Sequence, residues 1–350
     1  MRVLVTGGCG FIGSALVRRL VSDGHDVLNI DAMTYAGDAR AVASVADSGR
    51  YHFLQADIAN PNAVGRAFRD FNPERLFHLA AESHVDRSID GPGVFVQTNL
   101  VGTSVLLEAA LAYWRGLSDP DSFRFVHVST DEVYGSLAAS DPAFTEDTPY
   151  APNSPYAASK AGADHLVRAW VETYELPALI TNCSNNYGPF QHPEKLIPTV
   201  IRTALSGDGI PVYGQGENIR DWLFVEDHVD GLLAAGAKGR TGRKYNFGGN
   251  AERANIDLVR AVCALLDARR PGRAPYAEQI RFVTDRPGHD LRYAVDARRA
   301  QSELGWSPRL TFDEGLAATV DWYLAHPEWL SRDADGMSRL GLARTAGGQP

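Results

Sequence analysis

The sequence predicts an α/β fold, a doubly wound parallel sheet with a smaller C-terminal lobe interleaved with it. Three observations carry this expectation. A short apolar segment, Arg2 to Thr6, runs directly into a glycine-rich turn and then an amphipathic segment. Strand-like and helix-like patterns then alternate through the first half of the chain, which implies parallel strands with helices on both faces. Past Gly188-Pro189 glycine and proline rise and the strand-like runs shorten, with no linker and no internal repeat to set a separate domain apart.

Composition narrows the class. A chain of 350 residues, 44% apolar and 22% charged, can bury a large core. Its formal net charge of -9 argues against non-specific nucleic-acid binding, which needs a basic face. Cys9, Cys183 and Cys263 are widely spaced in apolar contexts and form no C-x-x-C pair, so reduced thiols and no metal site are expected, as in a cytoplasmic protein. The N-terminus enters a strand with no charged leader, and no apolar run is expected to approach a membrane span.

The first strand leads into Gly7-Gly8-Cys9-Gly10-Phe11-Ile12-Gly13, after which Ile12, Leu16 and Leu20, with Val17 and Val21, recur at helical spacing. Strand, glycine turn and helix in that order are the context a dinucleotide fingerprint requires. Gly7 allows the tight turn, Gly10 lets the backbone approach a pyrophosphate, and Gly13 permits close helix–strand packing, with the helix N-terminus facing the phosphates. The spacing is G-x-x-G-x-x-G, not the commoner G-x-G-x-x-G, and a glycine cluster alone is more often a plain turn. The second strand, Asp26 to Ile30, ends at Asp31. A carboxylate there binds a ribose 2′-hydroxyl and repels a 2′-phosphate, so the sheet is expected to be Rossmann-like and the cofactor NAD. The bland role of Asp31 is a loop acid or helix cap.

Next, Tyr51 to Ala56 reads as a strand ending in Asp57-Ile58, and Pro61 to Phe71 as a helix. Arg75 to Ala81 is another strand, opening into Glu82-Ser83-His84-Val85-Asp86. Asp57 and Ile58 suit the flank of an adenine, while Ala80 and Ala81 are small enough for a cofactor to lie against the backbone. His84 and Asp86 invite a catalytic role, but a surface-loop role is the one expected of them. Val96 to Ala112 and Tyr156 to Tyr174 read as long helices; the pair could form a dimer face, and packing within one chain accounts for the same pattern.

Phe123 to Val128 is an apolar-rich run that reads as a strand buried on both faces, and it runs into Ser129-Thr130-Asp131-Glu132-Val133-Tyr134-Gly135. Paired carboxylates and hydroxyls thus sit at the carboxyl end of a strand, where open α/β sheets bind ligands. Pro155 then opens a helix that places Tyr156 and Lys160 one turn apart on one face. An ammonium near a phenol favours the phenolate and makes tyrosine a usable base. Together these stretches point to proton and hydride traffic.

The second half reads as a strand, Pro177 to Cys183, ending in Ser184-Asn185-Asn186-Tyr187-Gly188-Pro189, then short strands at Pro211 to Gly216 and Arg220 to Val225. A helix follows over Asp227 to Ala237, a strand over Tyr245 to Gly248 and a helix over Ile256 to Arg269. Asn185 and Asn186 could hydrogen-bond a sugar, a phosphate or a carboxamide, or simply hold the turn. Lys195, Arg220, Arg286 and His289 could meet an anion, although Arg220 and Arg286 each have an aspartate neighbour and isolated arginines are usually solvated or so paired.

In combination these motifs resemble the extended short-chain dehydrogenase/reductase superfamily, most closely its dTDP-glucose 4,6-dehydratase members, from Met1 to about Leu330. The motifs are the Gly7–Gly13 turn, Leu79-Ala80-Ala81-Glu82-Ser83-His84-Val85-Asp86, Ser129 to Gly135, Tyr156 with Lys160, Ser184 to Pro189, Arg220-Asp221-Trp222 and Asp285-Arg286-Pro287-Gly288-His289. The resemblance implies that Tyr156 takes the proton of the sugar 4-hydroxyl while hydride leaves C4 for NAD. Lys160 lowers the Tyr156 pKa and Thr130 bonds the 4-oxygen. Glu132 then removes the C5 proton, Asp131 protonates the departing 6-hydroxyl, and the hydride returns to C6. It further implies that Ser83, Thr130, Asn185, Lys195, Leu196, Pro211, Tyr213, Arg220, Asn255, Arg286 and His289 hold the nucleotide-sugar dTDP-glucose. Cofactor positions are Gly7, Gly10, Phe11, Ile12, Gly13, Asp31, Thr34, Tyr35, Asp57, Ile58, Leu79, Ala80, Ala81, Ser83, Thr98, Ser129, Tyr156, Lys160 and Asn186. Residues 1–186 with about 220–250 are expected to bind NAD, 187–219 and 251–330 to bind the nucleotide-sugar, and 331–350 to form a loosely ordered tail. A homodimer is expected. Cys9 stands where relatives more often carry Ala. The rivals are a dehydratase of a UDP-, CDP- or GDP-sugar, a decarboxylase of UDP-glucuronate, a 4-epimerase, which leaves Asp131-Glu132 unexplained, and an NAD-binding regulator, which tends to lose the tyrosine or lysine.

Overall fold

The computed structural model describes residues 1–331, so the expectation for the tail, Ser331 apart, lies outside the described residues. Its strands are β1 (Arg2–Thr6), β2 (Asp26–Asp31), β3 (Tyr51–Gln55), β4 (Arg75–His78), β5 (Arg124–Thr130) and β6 (Ala178–Cys183). Then come β7 (Asn185–Tyr187), β8 (Ile210–Tyr213), β9 (Ile219–Phe224), β10 (Lys244–Phe247), β11 (Glu252–Ala254) and β12 (Ile280–Val283). A seven-stranded sheet takes the order β10-β6-β5-β4-β1-β2-β3 with every neighbouring pair parallel, the Rossmann-like arrangement expected. Strand order reverses between β1 and β4, so a crevice opens there at the carboxyl ends of the strands.

Side-chain alternation along the strands builds two core layers. Val3 and Val5 pack with Leu16 and Leu20 of the Phe11–Ser22 helix and with Val229 and Leu232 of the Val225–Lys238 helix. Leu4 turns the other way, toward Phe68, Leu106, Leu107 and Val167. These come from the helices Pro61–Phe71, Pro92–Arg115 and Pro155–Tyr174. The second of these is longer than the expected Val96–Ala112, and its turn Val96–Val101 is π-helical. Running 24 residues, it is long and apolar enough by length and composition to cross a membrane, contrary to the expectation of no such run. Leu106, Leu107 and Ala110 are nevertheless buried in the protein core.

The smaller lobe holds a three-stranded sheet, β11-β9-β7, and the pair β12-β8. The helices Leu196–Ser206, Asn255–Arg269 and Phe312–Ala325 bury Ile197, Val200, Leu258, Val262, Leu316 and Val320 against them. Between β9 and β10 the Val225–Lys238 helix returns to the large sheet, so the chain crosses between the lobes more than once. Cys9, Cys183 and Cys263 are buried free thiols.

Candidate active site

A cavity of about 330 Å³ lies along the carboxyl ends of β1, β2, β4, β5 and β6. One end is the glycine turn. Gly7 has φ +74° and packs so closely on the next strand's exit that an added Cβ would sit 2.7 Å from the backbone of Ala80. A Cβ on Gly13 would sit 2.1 Å from the Gly7 carbonyl oxygen. No side chain caps the helix that begins at Phe11, leaving its first N–H groups for an anion. Asp31 accepts from the backbone N–H of Cys9 and of Met33, each at 2.8 Å. The acid therefore both faces the cavity and braces the turn, and burial pushes its carboxyl up against those two bonds. Gly10, Phe11, Ile12, Thr34, Asp57, Ile58, Leu79, Ala80, Ala81, Ser83, Thr98, Ser129 and Asn186 line the same cavity. A glycine cradle, uncapped N–H groups and a carboxylate at the end of β2 are what the pyrophosphate and adenosine ribose of NAD require.

At the other end Thr130 closes β5, and Asp131 and Glu132 open a tight 3₁₀ turn, Asp131–Tyr134. The Thr130 hydroxyl accepts from Glu132 N and donates to Asp131 Oδ1, each at 3.3 Å. Asp131 is 2% exposed. Burial, and then the charge of Glu132, pushes its carboxyl well above the ordinary range. Burial raises Glu132 as well, but Arg286, Arg220 and Lys195 oppose it. Adjacent acids thus receive unlike environments, the arrangement that separates a proton donor from a proton acceptor.

Tyr156 and Lys160 follow Pro155 at the start of their helix, capped by Ser154. Both line the cavity with Thr130, Asp131, Glu132, Asn185 and Lys195. Burial, and then the charge of Glu132, pushes the Tyr156 phenol well above its usual value, opposite to the lowering expected from Lys160. The Lys160 ammonium instead donates to the Val128 carbonyl at 2.9 Å, and burial, followed by the nearby acids, governs the phenol.

Eight expected residues do not line this cavity: Tyr35, Leu196, Pro211, Tyr213, Arg220, Asn255, Arg286 and His289. The Arg87 guanidinium covers the Tyr35 ring at 3.7 Å. Leu196 and Asn255 each begin a helix, and Pro211 pairs with Arg281 in the small sheet. Arg220 is buried against the Tyr293 ring and, with Arg286, acts on Glu132. His289, held by Asp285 at 2.7 Å, meets the Tyr213 ring edge-on, and burial then Arg286 push its imidazole down to about 4.

Asp86 corrects another expectation. It is 6% exposed, not part of a surface loop. Its carboxylate accepts from Arg286 Nη1 at 3.1 Å and from Tyr213 OH at 3.1 Å, which joins the short helix after β4 to the smaller lobe. His84 caps the short helix Val85–Asp90 and lies 3.4 Å from Glu194. Sequence reasoning missed Gln191, His192, Glu194 and Cys183, which also line the cavity. The polar run between the Gly188-Pro189 turn and the Leu196–Ser206 helix is the signal that could have found the first three. Among the described residues no group of three or more His, Cys, Asp or Glu could hold a metal ion.

Residues 4–319 match the family model described as GDP-mannose 4,6 dehydratase. The chain is 56% identical over 341 residues to a dTDP-glucose 4,6-dehydratase of Xanthomonas campestris pv. campestris (strain B100), covering 96% of this chain and 97% of that one. It is 53% identical over 347 residues to dTDP-glucose 4,6-dehydratase 1 of Escherichia coli (strain K12), covering 96% of each. Among solved structures it is similar to a dTDP-glucose 4,6-dehydratase from Streptomyces venezuelae with NAD bound, at TM-score 0.86 and 43% identity, covering 95% of this chain and 99% of that one. A UDP-glucose 4-epimerase from Thermotoga maritima follows at TM-score 0.83 and 27% identity, covering 93% and 100%. The chain belongs to the family that the GDP-mannose 4,6 dehydratase model describes, among its dTDP-glucose 4,6-dehydratases and within the extended short-chain dehydrogenase/reductases.

Proposed function

We propose that the protein converts dTDP-glucose to its 4-keto-6-deoxy sugar with loss of water. The observation that carries this reading is the buried Asp131 and the half-buried Glu132 side by side beyond Thr130, in one cavity with Tyr156 and Lys160. Oxidation alone needs only a tyrosine and its lysine; the adjacent acids are needed for elimination. Gly7, Gly10 and Gly13 with the uncapped helix would hold the pyrophosphate of NAD, and Asp31 its ribose. Bound NAD would supply the hydride chemistry, and its positive charge would favour ionisation of the Tyr156 phenol.

Tyr156 then takes the proton of the sugar 4-hydroxyl, with Thr130 bonded to the 4-oxygen. The resulting ketone makes the C5 proton acidic. Glu132, the more readily ionised acid because Arg286, Arg220 and Lys195 face it, removes that proton. Asp131 keeps its own proton through burial and gives it to the 6-hydroxyl as water leaves. Lys195, Arg220, Arg286, Tyr213 and His289 suit the diphosphate and base of the nucleotide. The three buried reduced thiols fit a cytoplasmic enzyme. The apolar Val94, Val96 and Val101, exposed along Pro92–Arg115 beside the Pro155–Tyr174 helix, suit a homodimer.

The test is turnover. Purified protein incubated with dTDP-, UDP-, CDP- and GDP-glucose should form a 4-keto product, lighter by one water in mass spectrometry, fastest from dTDP-glucose. Preference for another nucleotide overturns the base assignment, and epimerised sugar without water loss overturns the reaction.

A further inference from the structure

Asp164 has no part in the reading above, yet it sits at the centre of the polar cluster behind the cavity. It lies one turn beyond Lys160 on the Pro155–Tyr174 helix and is 2% exposed. Its Oδ2 accepts hydrogen bonds from Ser129 Oγ at 2.9 Å and Tyr150 OH at 2.8 Å. Its Oδ1 lies 3.1 Å from His127 Nε2. His127 and Ser129 share one face of β5, and the carbonyl of Val128 between them receives the Lys160 ammonium. One carboxylate therefore ties together the strand that ends in Thr130, the Tyr150 loop and the helix that carries Tyr156 and Lys160.

Burying an ammonium without a counter-charge costs several kcal/mol, of the order that drives such groups to neutrality. The groups facing Lys160 show which one supplies the charge. Cys183, from β6, is a thiol pushed up to about 12 by burial, and so neutral. His78, from β4, and His127, from β5, are pushed down by burial and then by neighbouring positive charge, and are neutral as well. Tyr156, on the same helix, is a protonated phenol. Burial would raise Asp164 too, but the His127 contact, Lys160 and the Tyr150 hydrogen bond outweigh it and hold its carboxyl below the usual range.

We propose that Asp164 is a positioning residue of the reaction: its carboxylate clamps Ser129 and Tyr150 and is the counter-charge that keeps Lys160 an ammonium at the Val128 carbonyl. This rests on the reading that Lys160 serves Tyr156. The experiment is the pH profile of kcat with dTDP-glucose for the wild type, Asp164→Asn and Lys160→Met, with NAD binding measured for each. Removing the charge lets Lys160 lose its proton at lower pH. The alkaline limb of Asp164→Asn should therefore move down by about one pH unit or more, an approximately tenfold loss of rate above it, with KM changed less than about twofold. A limb that stays in place while the rate falls equally at every pH overturns the proposal.

Should Asp164→Asn not bind NAD, Asp164→Ser, which leaves room for a water to accept from Ser129 and Tyr150, makes the same comparison. If neither variant binds NAD, the carboxylate is a folding element, and the proposal is likewise overturned. The two readings fail separately. A wild-type profile in Lys160→Met sinks the role of Lys160, whereas an unmoved limb in the Asp164 variants beside an inactive Lys160→Met sinks only the role of Asp164.

Discussion

Gly13→Ala is the perturbation whose size the geometry sets most directly. The new Cβ would lie 2.1 Å from the Gly7 oxygen, 2.8 Å from the Gly7 carbonyl carbon and 3.0 Å from Gly8 Cα. Real Cβ atoms essentially never approach within 3.0 Å, so the helix and the turn must separate by about 0.9 Å. The turn cannot retreat, because Gly7 is itself held against Ala80 in a left-handed conformation. The Phe11–Ser22 helix must therefore back away, taking with it the N–H groups expected to face the pyrophosphate. Losing one hydrogen bond to the charged pyrophosphate costs about 1.5–3 kcal/mol, a roughly 10- to 150-fold loss of NAD affinity. Overpacking adds about 1–3 kcal/mol of lost stability. Gly65→Ala is the matching control. It lies mid-helix in Pro61–Phe71, and a Cβ there meets only the flexible end of Arg69 at 3.4 Å. That change should stabilise the fold by about 0.5–1 kcal/mol and leave NAD binding alone. Calorimetric titration with NAD and thermal unfolding with and without it give both numbers. If Gly13→Ala binds NAD within threefold of wild type and melts at the same temperature, the close packing of helix on turn does not govern cofactor binding.

Two further outcomes follow from the same structure. Asp131→Asn should lower overall turnover by about 10²–10⁴-fold, the usual worth of a general acid. C4 oxidation should survive, so reduced nicotinamide should accumulate in a single turnover; an equal loss of the oxidation step shows that Asp131 is not the dedicated acid. For Asp86, burial alone would raise the carboxyl, but Arg286, His84 and the Tyr213 hydroxyl outweigh it and hold the pKa down. A lowered carboxylate pKa contributes stability that is present above the unfolded value and lost as pH falls through the folded one. Asp86→Asn takes the paired carboxylate from the largely buried Arg286, leaving it the Glu132 charge, and should cost about 1.5–3 kcal/mol at neutral pH, a gap that narrows on acidification. Denaturant unfolding across that range decides it, and a gap independent of pH rules out the charge as its cause.

Much of the fold was legible because it is written in local patterns. The Gly7–Gly13 turn, the apolar run into Thr130-Asp131-Glu132, and Tyr156 one turn before Lys160 each depend on neighbours within a few residues. Period-2 and period-3.6 spacing places such side chains without knowledge of the rest of the chain. Even the wrongly bounded Pro92–Arg115 helix was recognised as one; the amount by which it outran the expected ends depends on its packing.

What the tertiary structure alone decided concerns contacts across long stretches of chain and the loss of water around charges. Asp86 reads as a loop acid until Arg286, 200 residues away, is folded against it. Asp164 reads as one polar position in a helix until β5 brings His127 and Ser129 to it. The phenol of Tyr156, expected to be lowered by Lys160, is raised, because burial acts on every group in the cavity and the acids are among its nearest charges. Spacing along the chain says which groups can meet. The solvent each of them loses on meeting depends on everything packed around it, and that sum exists only in the folded protein.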